Sequence, residues 1–403
     1  MGMERHCGLL LAMAVFLFAG AALGQVDPEL RELIQAGGSQ STQGASPPAL
    51  YGYYYLNEPN FLHTNVTLRL ALAPVYMDSE LGLVGLLGPH TDVGIGVAGG
   101  GFADNYYEFQ GGKYFPEQSF NGDSAEASIS VYHLFDPGKL IPLFGLFRVK
   151  EHYSFYEVND ELAPGFVLPH DHSSFDVRAG FRLGGREPLL TPALAMELSA
   201  WYEGQFRSAS GPYGFDGDRI LQPYSELFWM RALLIYTFEK SKQSFNVNFT
   251  AGTSGNADRF SAYRIGGTLP VASEFPLSIP GYFYQELSAR NFVCFDAQFT
   301  FPLNADKTWS IIPMGAAAVV DYLPGTSQPG AFNSGAGLGF GYKARSGSWQ
   351  LIGTYGYGFE AIRTSGRGAQ AVGLYFELNL RNKRPGEPTR VDQAIGYFPT
   401  HFW

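Results

Sequence analysis

SFNVNFTAG, residues 244–252, alternates without a break. Phe245, Val247, Phe249 and Ala251 fall on one face, and Ser244, Asn246, Asn248 and Thr250 on the other. Successive side chains of a strand point to opposite sides, so the run is a strand with one apolar and one polar face. FDVRAGFRL (175–183) and LAMELSAWYEGQ (194–205) repeat the pattern. Phe175, Val177, Phe181, Leu194 and Leu198 lie on the apolar faces, and Asp176, Arg178, Arg182, Glu197 and Glu203 on the polar ones. These runs exceed the roughly five or six residues usual in globular strands. They suit the ~9–11 residues that a tilted strand needs to cross a bilayer. One face then meets lipid and the other a wet lumen. A soluble sandwich would need shorter strands with their polar faces outside. The pattern predicts an all-β fold, a transmembrane antiparallel β-barrel, with Phe249 and Leu198 toward lipid and Asn248 toward water.

Composition points the same way. Charged residues make up 16% and aromatics 15%, with 50 glycines, against roughly 25% charged in ordinary soluble chains. The net charge of -10 argues against a nucleic-acid partner, which favours a basic face. Met1 to Gly24, MGMERHCGLLLAMAVFLFAGAALG, has a short basic start, an apolar stretch and small residues at its end. It reads as a secretory signal peptide cleaved after Gly24, which exports the chain through the inner membrane, and the barrel pattern then places it in the cell outer membrane. Beyond it no apolar run reaches the roughly 18 residues of a spanning helix. Cys7 leaves with the signal, so Cys294 stands alone and no internal disulfide can form.

Fourteen strands are countable between residues 64 and 380, and LYGYYYLNEPNF (50–61) could bring the total to sixteen. From the third strand on, long gaps (106–124, 158–174, 208–224) alternate with short ones such as KSKQ (240–243) and NADK (304–307). Outer-membrane barrels have long loops outside and short periplasmic turns. The alternation puts RIGGTLPVASEFPLSIPGYFYQELSARNF (264–292) outside, as the longest loop. Its glycines, prolines and apolar Leu277, Ile279, Tyr282 and Tyr284 suit neither a strand nor open water. Irregular backbone at membrane depth is tolerated only against protein or in a wet cavity. The segment is therefore expected to be a long inward-folded extracellular loop. Its Pro280-Gly281-Tyr282 tip should meet the inner wall, and Arg264 or Arg290 should find an inward acid such as Asp296, Glu197 or Asp176.

The ends complete the domain reading: signal peptide 1–24, a short periplasmic segment and linker 25–48, barrel 49–380 and C-terminal tail 381–403. The 25–48 segment holds one helical patch, DPELRELIQ, with Asp27 as its cap. In the last strand, AVGLYFELNL, Gly373 is followed by Tyr375, Phe376, Leu378 and Leu380. A glycine followed by alternating hydrophobics looks like the signal by which barrel-assembly machinery recognises its clients.

Together these stretches resemble the BamA/TamA-type family of outer-membrane assembly barrels, also called the bacterial surface antigen family. Tyr263, Arg264, Ile265, Gly266 and Gly267 fit the aromatic–Arg–Leu–Gly–Gly element at the start of that family's lumenal loop. Ile279, Pro280, Gly281 and Tyr282 fit its tip, and Glu286 and Arg290 the polar residues after it. Five strands follow, and FDAQFTFPL (295–303), SGAGLGFGY (334–342) and QAVGLYFELNL (370–380) resemble family strands. The resemblance implies protein assembly or translocation, with outer-membrane lipid, the barrel-assembly machinery and unfolded outer-membrane clients as partners. Pro280 departs from it, because the family's tip often carries Arg there, paired with an inward acid. The periplasmic array of polypeptide-binding domains is also missing, so client delivery differs or is absent. An assembly-type barrel should have a plugged lumen and a weak first–last strand seam. A passive porin-like channel, one alternative, should have an open lumen; a structural surface barrel is the other.

Arg148, Lys150, Arg178, Arg182, Glu197 and Glu203 face inward by parity, as a charged lumen. His152 and Ser154 share that side, but a strand fixes no approach geometry for a hydrolase, and no enzyme is expected. GIGVAG (94–99) lies within a strand and opens no helix, so it is not a nucleotide fingerprint. His170-Asp171-His172 reads as a solvated loop; no metal or cofactor is expected.

Overall fold

A computed structural model describes residues 26–381, apart from 47, 140, 186–189, 268–276 and 364–365. The signal-peptide reading of 1–24, and the tail beyond Arg381, lie outside the described residues. Sixteen strands form one closed antiparallel barrel. They are β1 (Arg31–Ser41), β2 (Ala49–Pro59), β3 (Val66–Leu72), β4 (Tyr76–Leu83), β5 (Thr91–Gly100), β6 (Asn121–Leu134), β7 (Leu143–Glu157) and β8 (His172–Gly185), followed by β9 (Leu194–Arg207), β10 (Tyr224–Thr237), β11 (Ser244–Gly255), β12 (Leu287–Pro302), β13 (Trp309–Tyr322), β14 (Phe332–Lys343), β15 (Trp349–Arg363) and β16 (Gly366–Asn379). Each pairs with the next, and β1 pairs with β16, so the barrel has no free edge. Long loops gather at one rim and short turns at the other.

The upper figure for the strand count holds, but the missing pair is not where the sequence placed it. Residues 50–61 supply one strand, β2, and the other is β1, inside the expected helical patch and linker. The barrel therefore begins at Arg31 and not at residue 49. Asp27 caps a turn: it accepts the Glu29 amide at 2.9 Å and pairs with Arg31 at 2.9 Å. β1 escapes notice because its outward positions, Glu32, Ile34, Ala36, Gly38 and Gln40, carry no apolar stripe. Gly37 is required where it lies, since an added Cβ would come within 2.7 Å of the Tyr375 ring.

The first–last seam is not weak. It holds nine residue pairs, Leu33↔Asn379 to Ser41↔Ala371, whereas β2 and β3 share only six. The outer wall is apolar: Phe181 is 56% exposed, Leu198 54% and Phe249 39%. The inner wall is more tightly packed than a wet lumen would be. Asn248, expected to face water, is only 5% exposed, and its amide donates to Asp296 at 2.8 Å. Within GIGVAG, a Cβ on Gly94 would strike the Glu80 carboxyl at 2.7 Å, so the glycine makes room for an inward acid.

Candidate functional site: the lumenal loop and its anchor

The chain between β11 and β12 enters the barrel. Tyr263–Ile265 forms a short strand on the start of β12, with Arg264 opposite Ser288. Gly266 then bonds two later parts of the loop. Its amide donates to the Leu277 carbonyl at 3.0 Å, and its carbonyl accepts the Ile279 amide at 2.7 Å. The Gly267 amide donates to the Phe283 carbonyl at 2.7 Å. A Cβ on Gly266 would lie 2.3 Å from that same carbonyl, so the double glycine lets three backbone segments converge.

The tip rests on glycines of β14 and β15. Gly281 has φ of +89°, and its Cβ would lie 2.0 Å from the Gly358 nitrogen. Cβ atoms on Gly335 and Gly356 would meet Pro280 at 2.2 and 2.8 Å. Tyr282 is buried, and its hydroxyl donates to Asn333 at 3.1 Å.

One ion pair fixes this arrangement. Glu286 is buried in the loop, and Arg363 is buried at the end of β15. Arg363 holds both carboxylate oxygens, Nη1–Oε1 at 3.0 Å and Nη2–Oε2 at 2.9 Å. Its guanidinium also lies 3.5 Å from the centroid of the Phe283 ring. The same carboxylate accepts the Phe283 amide at 2.8 Å and the Gln328 side chain at 3.1 Å. An acid in the loop thus meets an arginine on the wall.

The expected partners of the two loop arginines differ. Arg264 donates to Ser288 Oγ at 2.7 Å and to the Tyr107 carbonyl at 2.8 Å. Arg290 points outward and pairs with exposed Asp321 at 3.1 Å. Ser288, the Tyr107 carbonyl and Asp321 thus stand where Asp296, Glu197 or Asp176 was expected. A register shift between Ala289 and Asn291 moves Arg290 off the inward face. A second shift, between Gly358 and Ile362, turns Ala361 and Arg363 inward.

A cap of long loops covers the site. Tyr106, Phe120, Phe166, Tyr213 and Leu221 form its apolar centre. Glu108 is its polar centre, 3.1 Å from Arg259 and 3.5 Å from Arg219. Burial pushes the Glu108 carboxyl up, but those two guanidinium groups outweigh it and hold it below the ordinary carboxylate range. Phe109 of the cap stacks on Phe283 of the loop at 5.5 Å, joining the two layers.

Of the lumen charges named from the sequence, Arg178 and Glu203 pair with each other, and the rest find other partners on the inner wall. Arg148 contacts Glu80 at 3.2 Å, Lys150 lies between Glu126 and Asp176, and Arg178 meets Glu203 at 2.6 Å. Glu197 accepts the Ser199 hydroxyl, and Arg182 lies over the Phe144 ring. His152 and Ser154 share one carboxylate oxygen of Asp104, so the imidazole does not hold the hydroxyl. On the closing strand, Phe376, Leu378 and Leu380 follow the outward parity, whereas Tyr375 is buried inside with Glu377, which the sequence reading missed. Glu377 accepts from Gln35 of β1, Gln350 of β15 and the Leu190 amide of the β8–β9 turn, all within 2.8 Å. Between that turn and the loop tip a chamber of about 190 Å³ remains.

No protein-family model and no curated protein sequence matches the chain. Solved structures do. CdiB from Acinetobacter baumannii matches with TM-score 0.54 at 13% identity, over 87% of this chain and 60% of that one. BamA from Haemophilus ducreyi lacking POTRA domains 1-3 matches with TM-score 0.52 at 9% identity, over 91% and 77%. The chain has the barrel fold of BamA and CdiB. CdiB from Escherichia coli agrees, with TM-score 0.55 at 12% identity, over 87% and 63%. The chain thus spans about 60% of the CdiB chain it matches. Identities this low carry the fold and not the activity.

Proposed function

We propose that the protein is an outer-membrane barrel of the assembly or translocation type, kept closed by its lumenal loop, although its nine-pair first–last seam departs from the weak seam expected of that type. The observation that carries this reading is the anchored tip: Pro280 and Gly281 seated on wall glycines, and Glu286 held bidentately by Arg363. A loop fixed inside the lumen narrows the path a passive channel would keep open, and paired lumen charges offer a permeating ion few free partners. Exported delivery by the N-terminal segment, insertion by the barrel-assembly machinery and unfolded barrel clients belong to the same reading. No catalysis, metal or cofactor is part of it.

Two measurements test it. In planar bilayers the wild-type protein should conduct little, and a variant lacking residues 268–287 should conduct far more while still resisting heat in detergent. In proteoliposomes it should speed the folding of an unfolded outer-membrane barrel added outside. A wide wild-type pore that the deletion leaves unchanged, with no effect on client folding, would establish the porin reading.

A further inference from the structure

The outer face of β13–β16 carries an aromatic row and, beside it, an apolar groove. At its short-turn end, aromatic rings run across four strands in an unbroken row. Trp309 and Tyr342 lie 4.6 Å apart, Tyr342 and Trp349 5.0 Å, and Trp349 and Phe376 6.4 Å. Immediately beside this row is an apolar groove of about 820 Å³. Leu338, Phe340, Leu351, Tyr355 and Leu374 form its sides, and Gly353 lies in its floor. Gly353 pairs with Phe340 on one neighbour and Leu374 on the other, and those side chains are 52% and 57% exposed. A Cβ built on Gly353 would meet nothing within 4 Å. The groove exists because a glycine stands between two large outward residues.

We propose that this face binds one glycerophospholipid, with an acyl chain along Gly353 and the ester-linked backbone over the Trp309–Tyr342–Trp349 row. The proposal rests on the membrane reading above. Indole and phenol rings have an apolar body and a polar edge, which suits the boundary between acyl chains and headgroups. A smooth wall offers an acyl chain little more contact than neighbouring lipid does. A groove surrounds the chain on three sides and gains dispersion contacts that bulk lipid lacks. A protein segment is the poorer occupant. The barrel is closed and offers no strand edge to an incoming backbone, whose polar groups would be stranded in hydrocarbon.

The test is native mass spectrometry of the full-length protein taken from nanodiscs of palmitoyl-oleoyl phosphatidylethanolamine into detergent. Gly353→Leu fills the groove without a backbone clash. Ala127→Leu adds similar bulk to the outward face of β6, on the far wall. Wild type and Ala127→Leu should each retain one phospholipid, and Gly353→Leu at least fivefold less, with equal heat resistance throughout. Equal retention by all three, no retention by wild type, or a protein dimer lost on Gly353→Leu would overturn the proposal. Failure of the wild-type chain to enter nanodiscs would instead sink the membrane reading itself.

Discussion

Removing the loop's anchor should open the barrel. Glu286→Ala leaves Arg363 buried, with its two charge-assisted bonds gone. Removing one partner of a buried ion pair costs about 3–5 kcal/mol. At ~1.4 kcal/mol per factor of ten, that shifts the docked-to-released equilibrium of the loop by roughly two to nearly four orders of magnitude. The expected readouts are frequent long-lived openings in a planar bilayer and new protease cleavage between Tyr263 and Glu286. The barrel wall should still resist heat, because none of its strand pairs involves Glu286. Replacing both partners with Met should cost far less, since well-packed apolar side chains of similar volume often substitute for a buried pair. Exchanging them, Glu286→Arg with Arg363→Glu, should recover only part of the loss. The exchange restores the ion pair but places a carboxylate over the Phe283 ring, forfeiting about 2 kcal/mol of cation–π attraction. A closed, protease-resistant Glu286→Ala protein would refute the view that this pair holds the loop.

Gly281→Val should also unseat the tip, because its Cβ would lie 2.0 Å from the Gly358 nitrogen on a backbone with φ of +89°. The strain alone is worth about 1–3 kcal/mol, and the same conductance assay reads it; wild-type behaviour would show that the tip is not held against β15. Phe249→Arg, midway along β11 on the outer face, should cost about 2–4 kcal/mol of folded barrel, measured as lost heat resistance after refolding into vesicles. For Glu108, the folded carboxyl lies below its ordinary value of 4.5, so its stabilising share is present above that pH and is lost as pH falls through the depressed value. Protease cleavage of the cap should therefore rise below about pH 4.5 in wild type, and Glu108→Gln should flatten that dependence; identical profiles would exclude Glu108 as its source.

Strand alternation was readable wherever one face met an apolar outside and the other a polar inside, which holds for β6 to β12. It failed at β1, whose glycines and small polar residues carry no stripe, although backbone pairing on both sides makes it as much a strand as any other. The loop's inward course could be read from its apolar content, and its glycines from the sharpness of the path. Its anchor could not. Parity counting assumes an unbroken register, and a register shift sends the following side chains to the other face. Arg290 and Arg363 both sit at such shifts. One left the lumen and the other entered it, so one of the two arginines the sequence offered is on the surface, and one it passed over holds the loop.

Pro280 in the tip had suggested that the anchoring charge pair was lost. Coulomb attraction does not depend on which partner carries which sign, so a search for arginine at one position tests a motif and not an interaction. The pair in this barrel has its acid in the loop and its arginine on the wall. The surroundings account for that polarity. The wall arginine lies against the Phe283 face and within 3.5 Å of the Gly112 and Gly281 carbonyls, a setting that favours a flat, delocalised cation. The loop acid receives donors from Phe283 and Gln328 besides Arg363, a setting that favours an anion. Proline at position 280 is compatible with this arrangement because no side-chain charge is needed there. Its ring packs into the space left by Gly356, and its carbonyl lies where Gly335 has no side chain. The tip is thus fixed by shape where it touches the wall, and by charge one turn of chain later.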